Sequence, residues 1–197
     1  MKRALVLILL LLSPAALAAD DPAIAVGSFY DVYAVQHKSG SGIPDATGRL
    51  RYSGVLSPDL NKLLNQAAVA QSRTAARVKA SGPKAAVMPM FQGDIFTSLF
   101  EGATDWQVGE CRGDDKAARC PIALTHVDPA PPSSSGAVGQ KNVGKPPAKP
   151  ANWRDVVLVV HTPAGWKVDD IIYDAGFAFG NTGRLTDMLK MVVASNP

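Results

Sequence analysis

The sequence predicts an α+β domain, helices first and an antiparallel sheet second, on three observations. Apolar residues recur at helical spacing between Asp21 and Val78. Between Thr104 and Tyr173 the pattern changes to runs rich in Val and Ile bounded by turn residues. The two patterns follow one another and do not alternate, which argues against βαβ units and a parallel sheet.

The start of the 197-residue chain is expected to be removed. Met1-Lys2-Arg3 is basic, Ala4–Leu12 is an unbroken apolar run, and Ala16-Leu17-Ala18 is a small-residue cleavage site, the three parts of a signal peptide. The run is shorter than the ~20 residues that a membrane span needs. Cleavage after Ala18 is expected to leave a single domain over residues 19–197, periplasmic or secreted, with no membrane span. It also removes Lys2 and Arg3, so most of the formal charge of +3 belongs to the leader. The remainder has no electrostatic footprint for nucleic acid or an anionic membrane surface.

A helix is expected from Asp21, a suitable N-cap, and Pro22, suited to the first helical position; Val26, Phe29, Tyr30, Tyr33 and His37 share one face. Gly27 weakens it by ~1 kcal/mol relative to Ala, and Ser39-Gly40-Ser41-Gly42 ends it. A longer helix opens at Ser57-Pro58, with Leu60, Leu63, Leu64, Ala67, Ala68, Gln71, Ala75 and Val78 inward, and stops at Gly82-Pro83. A short third helix is expected from Asp94, burying Ile95, Phe96, Leu99 and Phe100. Strands follow at Thr104–Cys111 and Cys120–Val127, then a hairpin of Arg154–Thr162 and Trp166–Tyr173 around Thr162-Pro163-Ala164-Gly165, a type I turn suited to a Gly bulge. A last helix is expected from about Gly183, with Leu185, Met188, Leu189 and Val192 inward.

Residues 128–152, rich in Pro, Ser, Gly, Ala and Lys, read as a flexible insertion between two strands. Cys111 and Cys120 are an even pair, which in an oxidising compartment favours a disulfide across the intervening turn. The alternatives are two reduced thiols or half of a metal site, and no His or Cys spacing supplies further ligands.

Three stretches, Val26–Tyr30, Gly93–Gly102 and Trp166–Tyr173, resemble the exported bacterial family DUF3828, which is similar to the NTF2-like superfamily. The resemblance runs from about Ala23 to Leu189. It implies a cone, N-terminal helices packed on a curved antiparallel sheet around a pocket, and it implies no activity. The insertion at 128–152 then reads as an elaboration that covers or crowds the pocket mouth.

Candidates for chemistry are few. In a Gly-bulge hairpin Thr162 opposes Trp166, which sets Val160, Leu158 and Val156 on one face with Val168, Asp170 and Ile172. Asp170 would enter the most apolar face, where desolvation raises a carboxylate toward a useful base; the alternative is a carboxylate satisfied by backbone N–H groups or Arg154. If Cys111 faces Cys120 directly, Asp105 opposes His126 as an acid–base dyad in the pocket, or as a solvent-facing pair of little energetic weight. Tyr30, Tyr33, Trp106, Trp166 and Phe177 line a pocket or pack as core. Gly139–Lys145 has the spacing of a phosphate-binding loop, but Pro146 replaces its Ser/Thr and no strand precedes it. Arg112-Gly113-Asp114 is an adhesion tripeptide that a charged turn produces by chance. No cofactor or metal motif is present.

The expected function is a non-catalytic binding module for a small ligand or protein partner, an immunity protein against a secreted toxin being one narrower form. An isomerase- or dehydratase-like enzyme built on a buried carboxylate, and an envelope structural or assembly protein, are the alternatives. A homodimer is among the expected assemblies.

Overall fold

In the computed structural model the first helix, α1 (Pro22–His37), starts as Asp21 and Pro22 predict, with the Asp21 side chain accepting the Ala23 amide at 2.8 Å. The structure describes residues 21–38, 40, 42–82, 93–128 and 149–195. The expected signal peptide, the phosphate-loop-like Gly139–Lys145 and most of the expected insertion, residues 129–148, lie outside the described residues. Ala151 and Asn152, the last two positions of that expected insertion, already belong to a strand.

A helix that the sequence reading lacked, α2 (Ala46–Tyr52), follows α1, its N-cap Asp45 accepting the Gly48 amide at 2.7 Å. At seven residues it shows too little periodicity to announce itself. The long helix α3 (Pro58–Ala80) opens on Ser57, whose hydroxyl accepts the Leu60 amide at 3.0 Å. Its inner stripe is Leu60, Leu64, Ala67, Ala68 and Ala70; Ala75, expected inside, is exposed.

The expected helix from Asp94 does not form. Residues 94–101 are turns with one isolated bridge, Leu99 to Gly180. Asp94 turns its carboxylate onto the Phe96 amide at 2.6 Å, a local bond that competes with helix formation. The backbone groups are then taken by distant side chains. Tyr173 Oη donates to the Ile95 carbonyl at 2.6 Å, and Asn181 Nδ2 donates to the Asp94 and Thr97 carbonyls at 2.6 and 2.7 Å. Every buried backbone group must be paired somewhere, and here the pairing is tertiary. Ile95 and Phe96 are buried as expected.

Among the described residues six strands make one open antiparallel sheet: β1 (Asp105–Val108), β2 (Arg112–Gly113), β3 (Ala117–His126), β4 (Ala151–Thr162), β5 (Gly165–Tyr173) and β6 (Gly183–Arg184). The order is β1-β3-β4-β5-β6, with β2 beside β3 on the edge that β1 also occupies. The fourth helix among the described residues, α4 (Leu185–Ala194), closes the chain with Leu185, Leu189 and Val192 buried. The fold class is thus α+β, as the order of the two periodicities predicts.

Two register expectations are corrected. The ladder pairs Asp105 with Thr125 and Trp106 with Leu124, but Arg112 with Arg119, so the strand shifts by one residue between Val108 and Arg112. At the hairpin, Thr162 pairs with Gly165 and His161 with Trp166. A bulge at Asp169 then restores the expected pairing of Leu158 with Asp170 and Val156 with Ile172.

The core face of β4 is Trp153, Asp155, Val157 and Val159, not the expected Val156, Leu158 and Val160, which are half-buried. Val156 to Val160 is apolar throughout, so alternation alone could not decide which parity faces inward. With Cys120, Ile122 and Leu124 of β3 and Val168, Ile171 and Tyr173 of β5, that face packs on Phe29, Tyr30 and Tyr33 of α1 and on Leu60 and Leu64 of α3. Each large apolar side chain among these, fully buried, contributes roughly 1.5–3 kcal/mol. Cys111 and Cys120 form the expected disulfide, which ties the shifted segment to β3.

Candidate functional site

A cavity of about 320 Å3 opens where the C-terminal end of α1 meets α2. Its walls come from Tyr33, Gln36 and His37 of α1, from Gly42–Asp45, from Thr47, Arg51 and Tyr52 of α2, and from Asp94 and Phe96. The volume is at the small end of the range for organic ligands.

His37 and Asp94 line it as a hydrogen-bonded pair. His37 Nδ1 lies 3.0 Å from Asp94 Oδ2, with the imidazole 21% exposed and the carboxylate 4%. The imidazole stacks on the Tyr33 ring at 5.2 Å between centroids. The hydrogen bond that the imidazole donates to the Asp94 carboxylate raises His37 above its usual range, against the opposing effect of burial; the charge of Asp94 and the Glu101 carbonyl add to the rise. The phenol of Tyr33 accepts the Ala103 amide at 2.8 Å and hydrogen-bonds to Asp94, and burial first, then that carboxylate, push it far above the usual phenol range. Gly102 passes so close that an added Cβ would lie 2.3 Å from His37 Cε1, and its φ of +78° suits glycine.

The hydrogen bond that holds His37 in place is the one from Nδ1 to Asp94. The imidazole is thus oriented by Asp94 while still bordering the cavity. The groups around the cavity that carry no hydrogen bond among the described residues are different ones: the Gln36 amide, the Thr47 hydroxyl, the Arg51 guanidinium and the Tyr52 hydroxyl. Tyr52 is only 1% exposed, and burial followed by the Asp94 charge raises its phenol well above the ordinary value.

The residues singled out from sequence lie elsewhere, apart from Tyr33. Asp170 is 3% exposed and its carboxylate accepts the Ile171 amide at 2.9 Å, the Thr186 amide at 3.0 Å and the Thr186 hydroxyl at 2.9 Å, with Arg184 at 3.6 Å. Its partners are backbone and helix-start groups, with Arg184 in place of the expected Arg154. Asp105 is exposed and caps its own neighbour, accepting the Trp106 amide at 2.9 Å. The Asp105–His126 dyad does not form, because the shift places Asp105 opposite Thr125; His126 Nδ1 instead bonds the Gly102 carbonyl at 2.8 Å and Nε2 meets Asp128 at 3.3 Å. Tyr30 is fully buried, 5.9 Å from Trp106 between ring centroids, and Phe177 packs on Trp153. Trp166 borders a separate open depression beside Cys111 and His161.

Asp155 is the carboxylate that sequence reasoning missed. It is fully buried and accepts four donors: the Ser98 amide at 2.8 Å, the Ser98 hydroxyl, Trp153 Nε1 at 3.1 Å and the Asp174 amide at 3.1 Å. Burial raises its carboxyl, and the donated bonds oppose the rise. The signal was its parity: a lone acid on the face shared with Trp153 and Val157. Among the described residues no cluster of His, Cys, Asp and Glu could hold a metal ion.

No family model, curated protein or solved structure matches this chain.

Proposed function

We propose that the protein is an exported binding module that holds a small ligand in the cavity between α1 and α2. The observation that carries this reading is the division of labour around that cavity. Its acid–base groups, His37 and Asp94, satisfy one another, while donors at Gln36, Thr47, Arg51 and Tyr52 are left unused. The Tyr52 hydroxyl is not a buried orphan but a donor open to the cavity, so a bound acceptor takes it without breaking a bond within the protein. Catalysis by Asp170 is less well supported, because its carboxylate is occupied at the start of α4.

Export to the periplasm or beyond rests on the N-terminal leader pattern, and the Cys111–Cys120 bond is compatible with an oxidising compartment. The finer fold reading, a single NTF2-like cone over residues 19–197, rests on the quoted resemblance. Under it, the insertion near 128–152 is an elaboration of the domain.

Native mass spectrometry of the protein isolated from a periplasmic fraction, with a Tyr52→Phe/Arg51→Gln variant beside it, tests the reading. A small-molecule adduct on the parent that is lost from the variant is expected. A protein that stays in the cytoplasm with its leader intact would end the export reading. Periplasmic protein with no adduct, or the same adduct on both chains, would end the assignment of the cavity.

A further inference from the structure

The charges around the cavity say which class of ligand it takes, an inference that rests on the binding-module reading above. Each acid is already engaged. The Asp94 carboxylate faces His37 at 3.0 Å and the Phe96 amide at 2.6 Å. Asp45 accepts the Gly48 amide at 2.7 Å and lies at the positive end of α2, which offsets its charge. Of the nearby bases, Arg49 donates to the Pro44 carbonyl at 2.7 Å and to Asn65 at 2.8 Å. Arg51 alone among these charges has no ion pair or hydrogen bond among the described residues. Beside it in the chain, Tyr52 presents a buried phenol that burial keeps protonated, and so a donor. A guanidinium and a phenol O–H are both donors, and a carboxylate is an acceptor only. The rings of Tyr52 and Phe96, 4.7 Å apart between centroids, give the same cavity an apolar wall.

We infer that the cavity binds a small organic anion, its carboxylate held by the Arg51 guanidinium and the Tyr52 hydroxyl and its apolar body laid against Tyr52 and Phe96. The guanidinium supplies charge and a planar pair of donors, which a lysine would not. Thr47 and Gln36 remain to read polar substituents on the body.

Benzoate and its neutral isostere benzamide separate the charge from the shape. Titration of each into the 15N-labelled protein, followed by amide shifts, is read at residues 42–52 and 94–96. Saturable shifts with benzoate are expected, with benzamide at least about tenfold weaker, a difference of ~1.4 kcal/mol. Arg51→Gln should weaken benzoate by a similar factor and leave benzamide unchanged. Tyr52→Phe, which keeps the ring, should weaken benzoate severalfold. If benzamide binds as well as benzoate, or Arg51→Gln binds benzoate like the parent, the anion assignment is overturned and the cavity still binds. If neither compound moves those amides, the anion assignment and the cavity reading fall together. Dispersed spectra of both variants show that loss of binding is not loss of fold.

Discussion

Asp170 and Thr186 form a helix cap across 16 residues of chain: a strand carboxylate accepts both the amide and the hydroxyl of the second residue of α4, at 3.0 and 2.9 Å. The residue in the ordinary N-cap position, Arg184, makes no capping bond with its side chain. The start of α4 would otherwise leave its amides without acceptors, and the negative charge suits the positive end of the helix.

Asp170→Asn keeps the shape and replaces one acceptor oxygen with a donor. A loss of about 1–3 kcal/mol is expected, by analogy with other buried polar groups left unpaired. Hydrogen exchange should rise first at the amides of Thr186 and the turn that follows. Denaturant unfolding and exchange together check it; a variant as stable and as protected as the parent would remove the cap from the account.

Asp155→Asn should cost more, on the order of 2–4 kcal/mol, because a single amide oxygen cannot serve four donors and its NH2 meets N–H and O–H groups. Equilibrium urea unfolding measures the loss. The near-ultraviolet signal of Trp153 should change with it, since the indole N–H loses its partner.

Stability should also depend on the His37–Asp94 pair through pH. His37 is raised in the folded chain, chiefly by its bond to Asp94, above an unfolded value of about 6.5. The folded state therefore binds the proton more tightly. The stabilisation is fully present below about pH 6.5 and is lost as pH rises through the higher folded value. Urea midpoints of the parent and His37→Gln, compared across this window, should converge as pH rises. A constant difference at every pH would show that the pair does not titrate as stated.

Removing the disulfide with Cys111→Ala and Cys120→Ala should destabilise the fold by roughly 2–3 kcal/mol, toward the lower part of the usual range because the closed loop is short. The damage should concentrate at β1 and β2, whose shifted segment the bond ties to β3. Thermal unfolding with and without reductant, on parent and variant, checks both points; equal melting temperatures would contradict the first.

Much of the fold was legible because local chemistry and tertiary structure agree. The Asp21-Pro22 and Ser57-Pro58 starts, the Val- and Ile-rich hairpin and the stripe of α4 all read correctly from spacing. The failures share a cause. Residues 94–101 look helical, but their backbone partners are Tyr173, Asn181 and Asp155, far away in sequence. The face of β4 was misread because both parities are apolar. The shift between Val108 and Arg112 and the bulge at Asp169 are single-residue events that no periodicity announces. The cavity was missed for a related reason. Half of its wall is α2 and the residues just before it, a short helix without a visible stripe, and His37 and Asp94 are 57 positions apart.

The four bonds to Asp155 also bear on how long the fold lasts. Ser98 is 57 residues from it and Asp174 is 19, so most of the cluster requires two separate loops to close. Closure entropy is spent before such contacts give anything back. The bonds from Ser98, which need the 57-residue loop to close, are expected to form late on the folding path, so that their loss acts on escape from the native state more than on the search for it. Asp155→Asn should therefore speed unfolding in stopped-flow experiments and leave refolding nearly unchanged, which makes this carboxylate a determinant of the protein's lifetime in an environment where refolding competes with proteolysis.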